Sequence, residues 1–598
     1  HQLTVNQRPL NATIQRFYDG SLNANGSDLS SFDSLQGGET LFLSGTGTVS
    51  NKNVSSNQSV TLGTLALSDT GATGDTANYS LNSAELNIVQ RPISTVYLTK
   101  LYDASTTVQA SDLQTMSNLV GSETLTLTGT STISDANVGT KTVNTGGFTL
   151  NDQAGANASS GGLASNYILS GGTHQLIINQ RPLNATLARQ YDGTTTAAGS
   201  TLSSFDALQG GETLTLSGSG TAANDNVANG ISVSSLGTLA LANGTGAASN
   251  YSLNSAAINI TQRVLNSSGS KTYNANTNAL AADITLSNLV SGEALNHSGT
   301  ASTSSANAAS YTITNLAGIT IADGSGGTAS NYTLTGGTHN FVVNQKVISL
   351  SGSRLYDATT NAVASDLTTI SGRVGSETLA LNGTGSVSNA NVSNNKTVTL
   401  GTLALGNGTG LAANYTLSGG THQLTVNQRP LNATLARQYD GTTASAGSTL
   451  SSFDALQGGE TLTLSGSGTA ASANVANGIT MSSNGNLALA DGTGAASNYS
   501  LNSTVINIAK RVLTSSGSKT YDANTNALDA NITLSNLVTG EALNHSGTAT
   551  ISSANAGSYT ISNLTGITIA DGSGGTASNY TLTGGTHNFT VNPKVVSI

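Results

Sequence analysis

The sequence predicts a mainly β fold: a tandem array of seven small all-β domains, each a sandwich or a β-grasp-like sheet, joined by short strand-like junctions into an elongated rod. Three observations carry this. A Tyr-Asp-Gly-like turn recurs at Tyr18, Tyr102, Tyr191, Tyr273, Tyr356, Tyr439 and Tyr521. An Asn-Tyr pair recurs at Tyr79, Tyr167, Tyr251, Tyr332, Tyr415, Tyr499 and Tyr580, and together these positions hold 14 of the 17 tyrosines. Successive openings lie 82 to 89 residues apart, beyond the periods of helical and leucine-rich solenoids and suited to a small self-contained domain. Between them apolar and polar residues alternate, as at 212–217 and 256–261, with Gly, Asn and Ser clusters separating the runs. That is the pattern of half-buried strands and turns.

The repeats span 8–90, 91–180, 181–262, 263–345, 346–428, 429–510 and 511–593, with 1–7 and 594–598 read as parts of flanking repeats. Residues 1–13 are identical to 422–434, and 586–598 parallel 338–350, so the array is expected to continue on both sides. Three types are distinguishable. Type A opens at Tyr18, Tyr191 and Tyr439 and carries Ser-Ser-Phe-Asp-x-Leu-Gln-Gly-Gly-Glu; type B opens at Tyr102 and Tyr356 and carries Gly-Ser-Glu-Thr-Leu. Type C opens at Tyr273 and Tyr521 and carries Gly-Glu-Ala-Leu-Asn-His. The order is A B A C B A C, so no two neighbours match, which would limit misassembly between like repeats during folding; duplication of a three-repeat block, suggested by the 248 residues that separate Tyr191 from Tyr439 and Tyr273 from Tyr521, would give the same order.

Within a repeat, the opening turn reads as structural. Asp19, Asp192 and Asp440 are placed to bond backbone amides in Asx turns, and the ring of Tyr18 to pack on the core edge with its hydroxyl in water. Asn274 replaces the aspartate in one copy, which fits a turn residue better than a catalytic acid. The third turn position is Gly20, Gly193 or Gly441 in type A and Ala104, Ala275, Ala358 or Ala523 elsewhere, so a positive φ is not expected there. The segment 111–120 places Leu113, Met116, Leu119 and Val120 at helical spacing and predicts one helix per repeat.

The junctions read as stiff strands. Asn-Gln-Arg-Pro at 6–9, 179–182 and 427–430 is flanked by alternating apolar residues, and all five prolines lie in or beside junctions. Proline holds itself and the residue before it in extended geometry. At ~3.3 Å per residue and about ten strand residues per repeat, the rod would span roughly 250 Å.

Charge is sparse and periodic. Charged residues make up 8% of the chain, against a typical ~25%. Seven of the eight glutamates (Glu39, Glu123, Glu212, Glu293, Glu377, Glu460, Glu541) follow the opening tyrosine by 20 or 21 residues. A basic residue lies two before each opening tyrosine, as at Arg16, and a second at each junction, as at Arg181 and Arg429. The expected role of these charges is an ion pair within or between repeats that fixes geometry. Tyr18, Asp19, Glu39, Asn78, Tyr79, Tyr191, Asp192, Glu212, Asn250, Tyr251, Tyr439, Asp440 and Glu460, with the two arginines, are thus read as structural repeat positions.

Several function classes find no support. The net charge is −10 and no basic stripe exists, which argues against nucleic acid. No apolar run is long enough to span a bilayer. There is no cysteine for disulfides, thiol catalysis or cysteine metal sites. The histidines fall at His1, His174, His339, His422 and His587 on one predicted strand and at His297 and His545 on another, without partners at ligand spacing. Ser-x-x-Lys at 268–271 and 516–519 lacks companion motifs. No enzyme and no cofactor are expected. Calcium is the alternative, through loop oxygens near Asp323, Asp491 and Asp571, although Asn243 and Asn407 replace the aspartate in two repeats.

The ordered motifs basic-x-Tyr-Asp-Gly-Thr, Gly-Glu-Thr-Leu-x-Leu-x-Gly, Asn-Val or Asn-Ala, Asn-Tyr-Ser/Thr-Leu and Asn-Gln-Arg-Pro-Leu resemble the YDG-type and MBG-type repeats of large bacterial surface proteins. Those repeats occur in filamentous-haemagglutinin-like adhesins exported by two-partner secretion in Gram-negative bacteria. The resemblance implies an all-β module, secretion to the cell surface and a role in attachment, aggregation or biofilm. Two functions follow. One is a structural stalk whose partners are its own neighbouring repeats. The other is binding, in which exposed tyrosines and a hydroxyl-rich surface contact glycan, exopolysaccharide or identical chains by avidity or as a fibre. The absence of Trp and an aromatic content of 4% favour the stalk.

Overall fold

Alternation in the first strand sets the architecture of a repeat. In β1 (Arg8–Phe17), Leu10, Ala12 and Ile14 are at most 1% exposed while their neighbours face outward, because successive strand residues point to opposite faces. The computed structural model describes residues 1–153, 161–313, 316–561 and 564–598. The first repeat continues through β2 (Asn23–Asn25), β3 (Leu29–Phe32), β4 (Phe42–Ser44), β5 (Thr46–Thr48), β6 (Ser55–Ser59), β7 (Ala66–Ser68) and β8 (Tyr79–Val89).

The first and last strands lie parallel at the centre of a four-stranded sheet ordered β3-β1-β8-β6, with Ile14 opposite Leu86. Strands β3 and β6 run antiparallel along its edges. Parallel neighbours need a long crossover, and here short antiparallel pairs, β2 with β5 and β4 with β7, fill it. Of the two architectures expected, this is the open β-grasp-like strand order rather than a sandwich. The second repeat repeats it with Leu113–Ser117, Thr95–Leu101, Gln175–Asn179 and Gly139–Thr142. The seventh does so with Ile532–Ser535, Thr514–Thr520, His587–Asn592 and Gly557–Thr560.

The expected helix does not form. Leu113–Ser117 is an edge strand paired with Thr95–Leu101, preceded by a 3-10 turn at Ala110–Asp112. A helix this short is marginal on its own, left-handed Asn118 and Gly121 end the segment, and the neighbouring strand satisfies its backbone. Among the described residues no α-helix occurs.

The junctions are strands, as proline predicts. Arg91–Pro92 pairs in parallel with Tyr167–Ile168, and Pro182 and Pro430 lie opposite Ser252 and Ser500. The described residues gather into two compact units. One is His1–Asn266 with Leu286–His297 and Ile321–Gly337; the other is Ser267–Thr285 with Ser298–Thr320 and Thr338–Ile598. In the first unit one apolar core contains residues of the first, second and third repeats, including Ile14, Tyr18, Leu98, Tyr167, Leu214 and Tyr251. In the second, one core joins Leu435 and Tyr439 to Leu513 and Tyr580. The cores of neighbouring small all-β domains therefore meet across the repeat boundaries.

Candidate functional site: the contact between successive repeats

The backbone brings the opening turn of one repeat against the next. Asp19, Asp192 and Asp440 each accept the amide two residues on, from Ser21, Thr194 and Thr442, at 2.9, 3.0 and 2.9 Å. Asn274 reaches the Asn276 amide in the same way, so the Asx turn is as the sequence indicated. The third position differs from expectation. All seven residues have positive φ, Gly20, Gly193 and Gly441 at 71–74° and Ala104, Ala275, Ala358 and Ala523 at 59–62°. An L-residue pays roughly 1–2 kcal/mol for this left-handed geometry, and the turn imposes it in both chemistries.

The basic residue two before the tyrosine pairs with the turn aspartate, not with glutamate. Arg16, Arg189, Arg354 and Arg437 contact Asp19, Asp192, Asp357 and Asp440, and Lys100 and Lys519 lie 2.9 Å from Asp103 and Asp522. Arg16 also donates to the Ser21 carbonyl at 2.7 Å, holding the turn from below.

The glutamate has another partner. The opening tyrosine donates its hydroxyl to the glutamate of the following repeat: Tyr18 to Glu123, Tyr102 to Glu212, Tyr191 to Glu293, Tyr356 to Glu460 and Tyr439 to Glu541 at 2.6 Å, and Tyr273 to Glu377 at 2.7 Å. The other carboxylate oxygen accepts from that repeat's own closing tyrosine, as Tyr251 to Glu212 at 2.6 Å and Tyr332 to Glu293 at 2.7 Å. The closing phenol meanwhile accepts a backbone N–H, from Gln209 to Tyr251 at 3.0 Å. The two rings meet edge to face in all six junctions, with centroids 5.2–5.5 Å apart, the favoured geometry for aromatic pairs. An ionised carboxylate only accepts, and two phenols supply its donors.

The six opening tyrosines so engaged are at most 5% exposed, whereas Tyr521 is 37% exposed. The expectation of a wet hydroxyl therefore fails for the six. Burial first, then the hydrogen bond to glutamate, pushes Tyr102, Tyr251, Tyr273, Tyr332, Tyr499 and Tyr580 up to about 12.

Two further contacts flank this clasp. The asparagine before the closing tyrosine reaches back to the preceding repeat: Asn250 accepts the Val138 amide at 2.9 Å and donates to Asn137 at 2.9 Å. Asn166, Asn331, Asn414, Asn498 and Asn579 do the same, and all six are 1% exposed. Asn78 of the first repeat is exposed, and Glu39 accepts from its own Tyr79. The junction arginine donates to the carbonyl of the preceding opening tyrosine, Arg181 to Tyr102 at 3.2 Å and Arg429 to Tyr356 at 2.6 Å. The expected ion pair of this arginine with glutamate is replaced by neutral acceptors.

The chain matches the YDG domain model at residues 2–86, 90–174, 179–260, 257–339, 342–424, 423–506 and 509–587. The chain belongs to the YDG domain family. No curated protein matches it. The seven YDG repeats each place one glutamate and two tyrosines at equivalent positions, a stoichiometry that is itself a signal of a shared carboxylate.

Other candidate residues of the YDG repeats serve the backbone. Asp323, Asp491 and Asp571 each accept one amide, from Ala329, Ala496 and Ala577 at 2.7 Å. Asn243 and Asn407 accept the equivalent amides at 2.8 Å, so one neutral oxygen suffices there. Among the described residues no three His, Asp or Glu side chains converge as a metal site. His174 accepts the Val96 amide and bonds the Leu169 carbonyl, and Lys519 of Ser-x-x-Lys donates to the Asn524 and Asn526 carbonyls.

Proposed function

We propose that the chain is a structural repeat segment, a stalk, of a secreted bacterial surface adhesin that spaces an adhesive region from the cell. The observation that carries this reading is where the repeated polar groups point. The tyrosines, glutamates, asparagines and junction arginines that define the motif bond the neighbouring repeat; six opening tyrosines and the asparagines are buried there, and the glutamates and arginines are half-buried. A binding array would present them to solvent. Secretion by a two-partner route, a place on the bacterial surface and a part in attachment, aggregation or biofilm come from the resemblance in the repeat motifs. The alternative, glycan binding through exposed tyrosines, loses its main support because six opening tyrosines are covered.

The test is X-ray scattering of the chain in calcium and then in EDTA, with a glycan array alongside. A stalk gives an extended profile unchanged by EDTA, constant mass with concentration and no retained glycan. Collapse in EDTA would make calcium the organising ligand. Mass growth or a glycan signal would make the repeats the binding element.

A further inference from the structure

Beside each tyrosine–glutamate clasp lies a second contact that differs between repeat types. It involves the third residue of the opening turn and the segment just before the next repeat's glutamate. Where a type A repeat is followed by B or C, the turn residue is Gly20, Gly193 or Gly441 and the residue three before glutamate is Val120, Val290 or Val538. A Cβ on those glycines would fall 2.9, 2.7 and 2.8 Å from the valine Cγ1, inside any normal contact. Where a type B repeat is followed by A, the turn residue is Ala104 or Ala358 and the valine is replaced by Gln209 or Gln457. Each glutamine folds its amide back onto the Ala207 or Ala455 carbonyl at 3.0 Å. The next residue is glycine, and a Cβ on Gly210 or Gly458 would fall 3.1 or 3.0 Å from the alanine methyl.

We propose that these two positions form a size code that decides which repeat type docks on which. Glycine in the turn admits valine from the next repeat; alanine in the turn fits Gln-Gly better than valine. A B repeat followed by B would set an alanine methyl against a valine, and an A repeat followed by A would leave glycine facing a retracted glutamine. Overpacking and voids both destabilise a buried contact. At five of the six junctions the two faces therefore fit, and the code disfavours A on A and B on B, the like neighbours that the order A B A C B A C avoids. The C-to-B junction sets Ala275 opposite Val374 in sequence, the two larger residues together. There Lys346 stands in place of the junction arginine and Arg373 in place of Leu119, and the code makes this the strained junction.

The test uses hydrogen exchange of the full chain, reading amides that donate across junctions. The Val227 amide, bonded to Asn331 at 2.8 Å, reports the junction of Gly193 with Val290. The Val392 amide, bonded to Asn498, serves as control. Gly193→Ala is expected to lower Val227 protection about tenfold and leave Val392 unchanged. Val290→Ala alone lowers protection by losing packing, yet in the Gly193→Ala background it raises protection. Backbone strain at residue 193 cannot produce that reversal. The same sign in both backgrounds would overturn the code. A second comparison removes strain from both arms: Ala275→Gly and Ala104→Gly start from φ of 62° and 59°. The code expects a larger gain for Ala275→Gly, read at the Ala308 amide bonded to Asn414, than for Ala104→Gly, read at Val138. An equal or smaller gain would overturn it.

Discussion

Glu212 accepts hydrogen bonds from the hydroxyls of two tyrosines that belong to different repeats, so one carboxylate closes its own repeat and joins it to the one before. Glu212→Gln keeps the shape but puts an NH2 donor against a phenol. Hydrogen bonds to charged groups contribute ~1.5–3 kcal/mol, and a loss of about that size is expected in the protection of the Val138 amide, measured by hydrogen exchange. The phenols also set an alkaline limit. Their protonated form is favoured in the fold, Tyr102 and Tyr251 being raised from 10.0 to about 12 by burial and by Glu212. Stability from these groups is complete below pH 10 and is lost as pH rises through about 12. Spectrophotometric titration should show these phenols resisting ionisation above pH 10 until the junctions open.

At the scale of the element, type A repeats use a device that the Ser-Ser-Phe-Asp motif encodes. The parallel pairing of Arg181–Gln190 with Tyr251–Thr261 slips by one residue between Leu183 and Asn184. Asn184 bridges the bulge, accepting from Asn254 at 3.0 Å and Ser255 at 2.6 Å. Asp206 holds Asn184 through its backbone amide at 2.9 Å and its side chain at 2.7 Å. Foremost the Asn184 amide keeps the Asp206 carboxyl below its usual value, as Asn11 and Asn432 do for Asp33 and Asp454. Stability from a depressed carboxyl is present above the ordinary carboxylate range and is lost as pH falls through the depressed value. Acid titration followed by exchange at the Asn184 and Asn432 amides should loosen type A sheets, and Asp206→Ala should loosen the third repeat already at neutral pH. The strands were legible in the alternation and the turns in Gly and Asn. The segment 111–120 was not, because its apolar spacing fits both a helix and a half-buried edge strand, and the pairing partner decides.

Across the whole molecule, cores that cross repeat boundaries tie neighbours together within each compact unit. Stability in such arrays is a sum of repeat and interface terms, so a defect at one junction should spread to both sides. Asn166 is 1% exposed and bonds Val54 and Asn53 of the preceding repeat. Asn166→Ala strands a buried amide at a cost of ~1–3 kcal/mol. Exchange should rise in both the first and the second repeat; a change confined to the second would mean that the repeats fold independently.

The sequence by itself determined the number of repeats, their β class, the Asx turns and the extended junctions, because all of these follow from local composition, spacing and proline geometry. Only the tertiary structure decided what the recurring spacing of charge and tyrosine is for. Tyr102 and Glu212 are 110 residues apart, further than one repeat period, so no pattern within a repeat pairs them. The left-handed alanines were hidden for a related reason: a residue type sets the cost of a backbone geometry, while the surrounding turn and the neighbouring repeat decide whether that cost is met.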